Sequence, residues 1–167
     1  MYPEPVMEKY NFGLLEQVME GRYRPGHFNG VAVVVKKLFD IMEPQRAYFG
    51  EKDFQQLCII RALVRMNSIP VEIVPCPTIR ESDGLAMSSR NRRLTGAERQ
   101  VAPEIYNTLM AVKEQAGKVP VAELKRWASD RISSFGMVID YFEISEAETL
   151  QPVEEWKPGA SIRAFVA

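Results

Sequence analysis

This sequence holds little of what the commoner catalytic and structural chemistries require. There is one histidine, His27, and there are two cysteines, Cys58 and Cys76, among 167 residues. A lone histidine cannot form a zinc site, which needs several ligands, and no Ser–His–Asp order can be argued from it. Two cysteines are too few for a disulfide framework and fit a reducing compartment, the cytoplasm. Cys58 falls on the apolar side of a helical pattern and Cys76 lies between Pro75 and Pro77, so neither reads as a nucleophile. No apolar run approaches the ~18 residues that suggest a membrane span. The longest, Val31 to Val35, stops at Lys36 and Lys37. The start, MYPEPVMEKY, lacks the charged-then-apolar layout of a signal peptide. Neither GxxxxGK[ST] nor GxGxxG occurs. Charge of one sign is lacking too: 21 Lys and Arg face 22 Asp and Glu, a net −1. That balance argues against bulk electrostatic binding to nucleic acid.

What remains is ordinary globular material, 46% apolar and 26% charged. A short helical pattern through Leu14, Leu15, Val18 and Met19 follows an irregular start marked by Pro3 and Pro5. RPGHFNG, Arg24 to Gly30, reads as a turn-rich loop. A helix from about Phe28 to Met42 places Val31, Val34, Val35, Leu38, Phe39 and Met42 on one apolar face, and Pro44 ends it. QRAYFG, Gln45 to Gly50, reads as a strand, Asp53 to Asn67 as a helix, and Ile69 to Pro75 as a buried strand. Helix, strand, helix, strand predicts an α/β unit: a parallel sheet with right-handed crossover helices. Two strands are few for these helices, so exposed apolar surface is expected in this half. Both ends of the chain read as cuts in a longer protein.

After Pro77 the pattern changes. Thr78 to Leu94 is polar, basic and aperiodic, and long ordered loops are often functional. Thr95 with Glu98 forms a capping box for a long helix to about Ala116, with a possible kink at Pro103. A helix from Val121 to Ser134 and strands at Val138 to Ser145 and Ser161 to Ala167 complete a small α+β unit with antiparallel strands. The expected division is 1–78 and 79–167.

Three clusters could carry chemistry. FGEKDFQQ, Phe49 to Gln56, runs from a strand's C-terminal end into a helix, where open α/β sheets bind ligands. Gly50 permits close backbone approach or a special dihedral. Lys52 offers a cation for phosphate, and Asp53 could take a ribose hydroxyl or orient a metal. Gln56 lies one turn on, and the helix N-terminus suits an anion. The competing interpretation is a charged first helical turn with Asp53 as N-cap. LAMSSRNRR, Leu85 to Arg93, supplies the hydroxyls of Ser88 and Ser89 and the planar fork of Arg90. Composition alone favours a solvated basic linker there; combined with Lys52 at a strand end, a polyphosphate site is the sharper hypothesis. In RPGHFNG, His27 is a loop packing residue, a phosphate donor or a general acid, and Arg24 faces an acidic substrate or water.

RPGHFNGV, FGEKDFQQL and VPCPTIRESDGLAMSSRNRRL, in this order and spacing, closely resemble the pantothenate synthetase (pantoate–β-alanine ligase) family. The resemblance covers nearly the whole chain. It implies a partial Rossmann-like nucleotidyltransferase domain and a small C-terminal domain. It further implies condensation of pantoate with β-alanine at the expense of ATP, with Mg²⁺, through a pantoyl-adenylate, releasing AMP and pyrophosphate. Pantoate's carboxylate would attack the α-phosphorus, and β-alanine's amine would then attack the activated carbonyl. By matching motif, Gly50 and Asp53 would contact the ATP ribose and Lys52 the phosphates. Gln56 would bind pantoate, and Ile79 would meet adenine through its backbone. Met87, Ser88, Ser89 and Arg90 would form the counterpart of a KMSKS loop, with Ser88, Ser89 and Arg90 on the phosphates. Lys52, Ser88, Ser89 and Arg90 would be the catalytic set, no protein group would hold a metal, and Arg24 and His27 would support the pantoate side or a homodimer. The family's HxGH motif, an early pantoate-gripping glutamine and a methionine at the pantoate pocket have no match here. A fragment with little or no activity of its own is therefore expected. The alternatives are a non-catalytic nucleotide-binding or dimerisation module and a different adenylyl-transferring relative.

Overall fold

A computed structural model describes residues 8–167, so the expectation of irregular structure at Pro3 and Pro5 lies outside the described residues. The chain divides into two compact units, one ending at Pro77 and one from Thr78 to Ala167. No helix among the described residues is long and apolar enough to cross a membrane.

The first unit has the expected alternation. A 3₁₀ turn at Gly13–Glu16 and a short helix α1 (Met19–Tyr23) precede α2 (His27–Met42), β1 (Arg46–Gly50), α3 (Phe54–Met66) and β2 (Glu72–Cys76). The two strands are parallel, in register from Arg46 opposite Glu72 to Gly50 opposite Cys76. Parallel neighbours need a crossover, and α3 supplies it. Its Leu57, Ile59, Ile60 and Leu63 are essentially solvent-free. Burial of this kind contributes roughly 1.5–3 kcal/mol per side chain. Ile59, Ile60 and Leu63 share a core with Phe12, Phe28, Ala32, Phe39 and Val71.

Two expectations are corrected here. His27 and the residues after it belong to α2, so the loop ends at Gly26, whose φ of 80° sets the turn into the helix. The apolar face expected on α2 is in fact divided. Phe28, Ala32, Val35 and Phe39, spaced i, i+4, i+7 and i+11, pack inward with Val31, while Val34, Leu38, Ile41 and Met42 stay exposed. The apolar positions cover more of the helix circumference than a two-stranded sheet can bury.

The second unit comprises α4 (Gly96–Val101), α5 (Glu104–Gln115), α6 (Val121–Ser134), β3 (Phe142–Glu146) and β4 (Ile162–Val166). The long helix expected from Thr95 is two helices. Pro103 lacks an N–H to continue the ladder, and α5 starts after it. The capping box itself is present: the Thr95 hydroxyl accepts from the Glu98 N–H at 3.3 Å, and the Glu98 carboxylate accepts from the Thr95 N–H at 2.7 Å. The strand expected from Val138 begins only at Phe142, since Val138 is almost fully exposed and Asp140 and Tyr141 donate to the carbonyl of Ala167. β3 and β4 pair antiparallel, with Phe142 opposite Val166. Val121, Leu124, Ala128 and Ile132 make one stripe of α6 and pack with Val112, Phe142 and Ile144.

Candidate functional site

Gly50 and Cys76 are the last residues of their strands and lie opposite each other, so both parallel strands end at the same edge. From that edge the chain turns through a 3₁₀ segment, Glu51–Asp53, straight into α3. Gly50, Lys52, Asp53 and Gln56 are thereby gathered between a strand end and a helix start. Gly50 has an ordinary φ of −69°, so no special dihedral is at work. A Cβ built there meets nothing within 4 Å, which leaves open space above the backbone. Asp53 occupies the N-cap position of α3, yet its carboxylate makes no capping hydrogen bond. That counts against a purely capping role. Asp53 is exposed, and Lys52 Nζ lies 3.8 Å from its Oδ1. The pair is loose enough for both groups to take other partners. Gln56 is half-buried on the first turn of α3.

Its neighbour Gln55 was not among the expected residues, and it is the more tightly held. Its Nε2 donates to the carbonyls of Leu15 at 2.7 Å and Val18 at 2.9 Å, and its Oε1 accepts from the Glu20 N–H at 3.0 Å. A buried amide that satisfies three backbone groups fixes the segment before α1 onto α3. The signal was the Gln-Gln dipeptide: adjacent helical residues point about 100° apart, so one of the two faces inward.

Arg24 and His27 follow α1 in the chain, Arg24 as its C-cap and His27 as the first residue of α2. Arg24 is exposed and pairs with Glu20 at 2.7 Å, one helical turn away. His27 is half-buried at the start of α2, its ring 5.2 Å from that of Phe28. Burial first, and then the Arg24 guanidinium, hold its imidazole below the ordinary pKa; Glu20 opposes them. A cleft of about 430 Å³ lies here, lined by Lys9, Tyr10, Glu16, Arg24, Phe28 and Asn29 among others. Lys52, Asp53 and Gln56 do not line it.

The other candidates belong to the second unit. The aperiodic stretch after Pro77 contains a tight hairpin in which Arg80 and Ala86 form an antiparallel bridge. The carbonyl of Ile79 accepts from the Met87 N–H at 2.9 Å, and both side chains are exposed. Ser88 caps a third 3₁₀ turn, Ser89–Arg93, its Oγ accepting from the Arg90 N–H at 3.2 Å. The Ser88 hydroxyl keeps its proton to donate. Ser89, Arg90, Arg92 and Arg93 are exposed on this turn. Successive hydroxyls, a guanidinium and the start of a turn are donors only or donors readily, a composition that suits an oxyanion.

A parallel strand pair with a crossover helix, polar side chains at its C-terminal edge and a separate α+β unit define an α/β protein with a candidate site at the strand ends. The family profile described as pantoate-beta-alanine ligase matches residues 1–167, and the chain belongs to that family. A pantothenate synthetase of Bacteroides fragilis is 50% identical over 157 residues, 93% of this chain and 56% of the relative. One of Cytophaga hutchinsonii is 44% identical over 169 residues, 99% of this chain and 60% of the relative. Among solved structures, a pantothenate synthetase from Thermus thermophilus superimposes with a TM-score of 0.90 at 46% identity, covering 99% of this chain and 60% of that one. The ligase of Francisella tularensis, complexed with beta-gamma ATP and beta-alanine, gives 0.72 at 31% identity over 99% of this chain and 60% of that chain. The chain thus spans somewhat more than half the length of the relatives it matches.

Proposed function

We propose that this chain supplies part of an ATP-dependent pantoate–β-alanine ligase. The observation that carries the reading is the strand-end arrangement: Lys52 and Asp53 exposed beside open backbone at Gly50, in a chain of this family. In this reading the Lys52 ammonium lies on the ATP phosphates, Asp53 accepts from the ribose hydroxyls, and Gln56 grips pantoate. Ser88, Ser89 and Arg90 stabilise the charge that builds on the phosphates as pantoate's carboxylate displaces pyrophosphate. Adenine lies against the Ile79 backbone and Met87. β-Alanine's amine then displaces AMP. No protein nucleophile is needed, so catalysis is positioning and charge stabilisation. Mg²⁺ usually sits on substrate phosphates with one or two carboxylates and several waters. With Asp53 on the ribose, the ion would be held through the phosphates and water and would supply further charge neutralisation there. The cytoplasm is the compartment that fits two free cysteines.

Pantoate-dependent ATP–pyrophosphate exchange tests the reading. HxGH histidines are not in this sequence, and loss of one preorganised donor costs about 10²–10³ in rate. The 167-residue chain alone is therefore expected to exchange little, and a longer polypeptide carrying it to exchange well. Exchange by the longer polypeptide that does not respond to pantoate would move the chain to a different adenylyl-transferring reaction.

A second reading, a dimerisation module, is favoured by one observation. Val34, Leu38 and Ile41, spaced i, i+4 and i+7, form an exposed apolar stripe on α2. A homodimer would cover it. Sedimentation of the chain against its Leu38→Lys variant tests this: a monomer in both would remove the dimer.

A further inference from the structure

The basic turn at Ser88–Arg93 is continuous with a hairpin that the helices of its own unit hold from one end. Gly84 sits at the hairpin tip, buried, with a φ of +89°. A Cβ there would lie 2.0 Å from Tyr106 Cδ1, so the α5 ring is packed directly on the backbone. The Arg80 guanidinium lies 4.4 Å from the centre of the same ring and donates to the Gly84 carbonyl at 3.0 Å. Asp83 accepts from the Leu85 N–H at 3.1 Å and from Arg99 of α4 at 2.6 Å. From the hairpin the contacts run onward. Asn91 Nδ2 donates to the Ala86 carbonyl at 3.0 Å, and the Asn91 N–H donates to the Ser88 carbonyl at 3.1 Å.

We propose that Tyr106, assisted by Arg99, is a positioning residue: it clamps the Arg80–Ala86 hairpin and so holds Ser88, Ser89 and Arg90 in order for the polyphosphate of a nucleoside triphosphate. This rests on the nucleotide reading above. Without the ring, the Gly84 backbone loses its packing and Arg80 its platform. The turn then samples arrangements that cannot bind, and apparent affinity falls by the fraction of the competent one.

The test measures two quantities on the 167-residue chain and on three variants. Hydrogen exchange reads the bonded amides of Glu81, Gly84, Leu85 and Met87, with the α6 amide of Ile132 as a folding control. Calorimetry reads binding of ATP with Mg²⁺. In Tyr106→Leu the hairpin amides are expected to exchange at least about tenfold faster and the ATP dissociation constant to rise about tenfold, with Ile132 unchanged. Tyr106→Phe keeps the ring and should behave as the unsubstituted chain in both. Gly84→Ala meets the ring and should follow Tyr106→Leu. Unchanged protection and affinity in Tyr106→Leu would overturn the clamp and leave the nucleotide reading standing. A protected hairpin in an unsubstituted chain that binds no ATP at millimolar concentration would instead defeat nucleotide binding by this chain alone, and the ligand half of this proposal with it, while pyrophosphate exchange by the longer polypeptide decides the ligase reading.

Discussion

In the unit ending at Pro77, Gly50 to Gln56 are carried by regular structure: two parallel strands that stop together and a helix whose inner face is solvent-free. In the unit from Thr78, Met87 to Arg90 are carried by a hairpin with one bridge, held by an aromatic ring, an ion pair and an amide. The first group depends on burial. The second depends on a few side-chain contacts, each at the surface or half-buried. Rigid placement and adjustable placement are thus divided between the two segments, as the elements that move on binding are drawn from the less stable parts of a fold.

That difference predicts unequal sensitivity. The largest effects are expected in the cores. Leu63→Ala in α3 and Ile132→Ala in α6 each empty a site with no solvent exposure. Each should cost about 2–5 kcal/mol, read as a lower urea midpoint by circular dichroism. A cost below about 1 kcal/mol for Leu63→Ala would mean that the strand-end group is not held by the α3 core. Gln55→Leu comes next. It leaves the Leu15 carbonyl and the Glu20 N–H without their partner and removes one of the two donors on the Val18 carbonyl, at about 1–3 kcal/mol. Gln56→Leu should leave stability nearly unchanged, which separates the neighbouring glutamines. Thr95→Ala removes the capping box of α4 and should cost about 1 kcal/mol.

The same division explains what could be read from residues alone. Helix and strand order in the first unit was legible because burial imposes a period: Leu57 and Ile60 of α3, or Phe39 of α2, recur where a core must be. The division of the α2 apolar face was not legible, since Val34 and Leu38 have the composition of core residues and only the two-stranded sheet leaves them outside. The start of β3 was misjudged because Val138 and Ile139 have strand propensity but lie before the paired segment. Of the candidate site, the residue types and the strand-end setting of Lys52 and Asp53 were visible. Gln55 was missed because a dipeptide does not say which amide turns inward. The grip of Tyr106 on Gly84 joins positions 22 apart in sequence, and no local pattern announces it. Its one trace was a glycine in a polar loop.

The smallest expected effect concerns pH. His27 titrates below its ordinary value when folded, because burial and the nearby Arg24 disfavour its charged form. Above the ordinary pKa of 6.5 the imidazole is neutral in both states and contributes no pH dependence. As the pH falls below that point the unfolded chain takes up the proton first, so stability declines until the lowered folded pKa is passed. Glu98 has the opposite origin and a separate window. Its hydrogen bonds from the Thr95 backbone and hydroxyl hold its carboxyl below the usual 4.5, so its stabilisation is present above that pH and is lost on further acidification. Thermal midpoints measured from about pH 7.5 to about pH 3.5 should therefore fall in two stages. His27→Gln should remove only the stage that begins near pH 6.5, and Thr95→Ala should shrink only the stage that begins near pH 4.5. A first stage that survives in His27→Gln would place its origin elsewhere and leave the first unit, like the second, limited by its carboxylates.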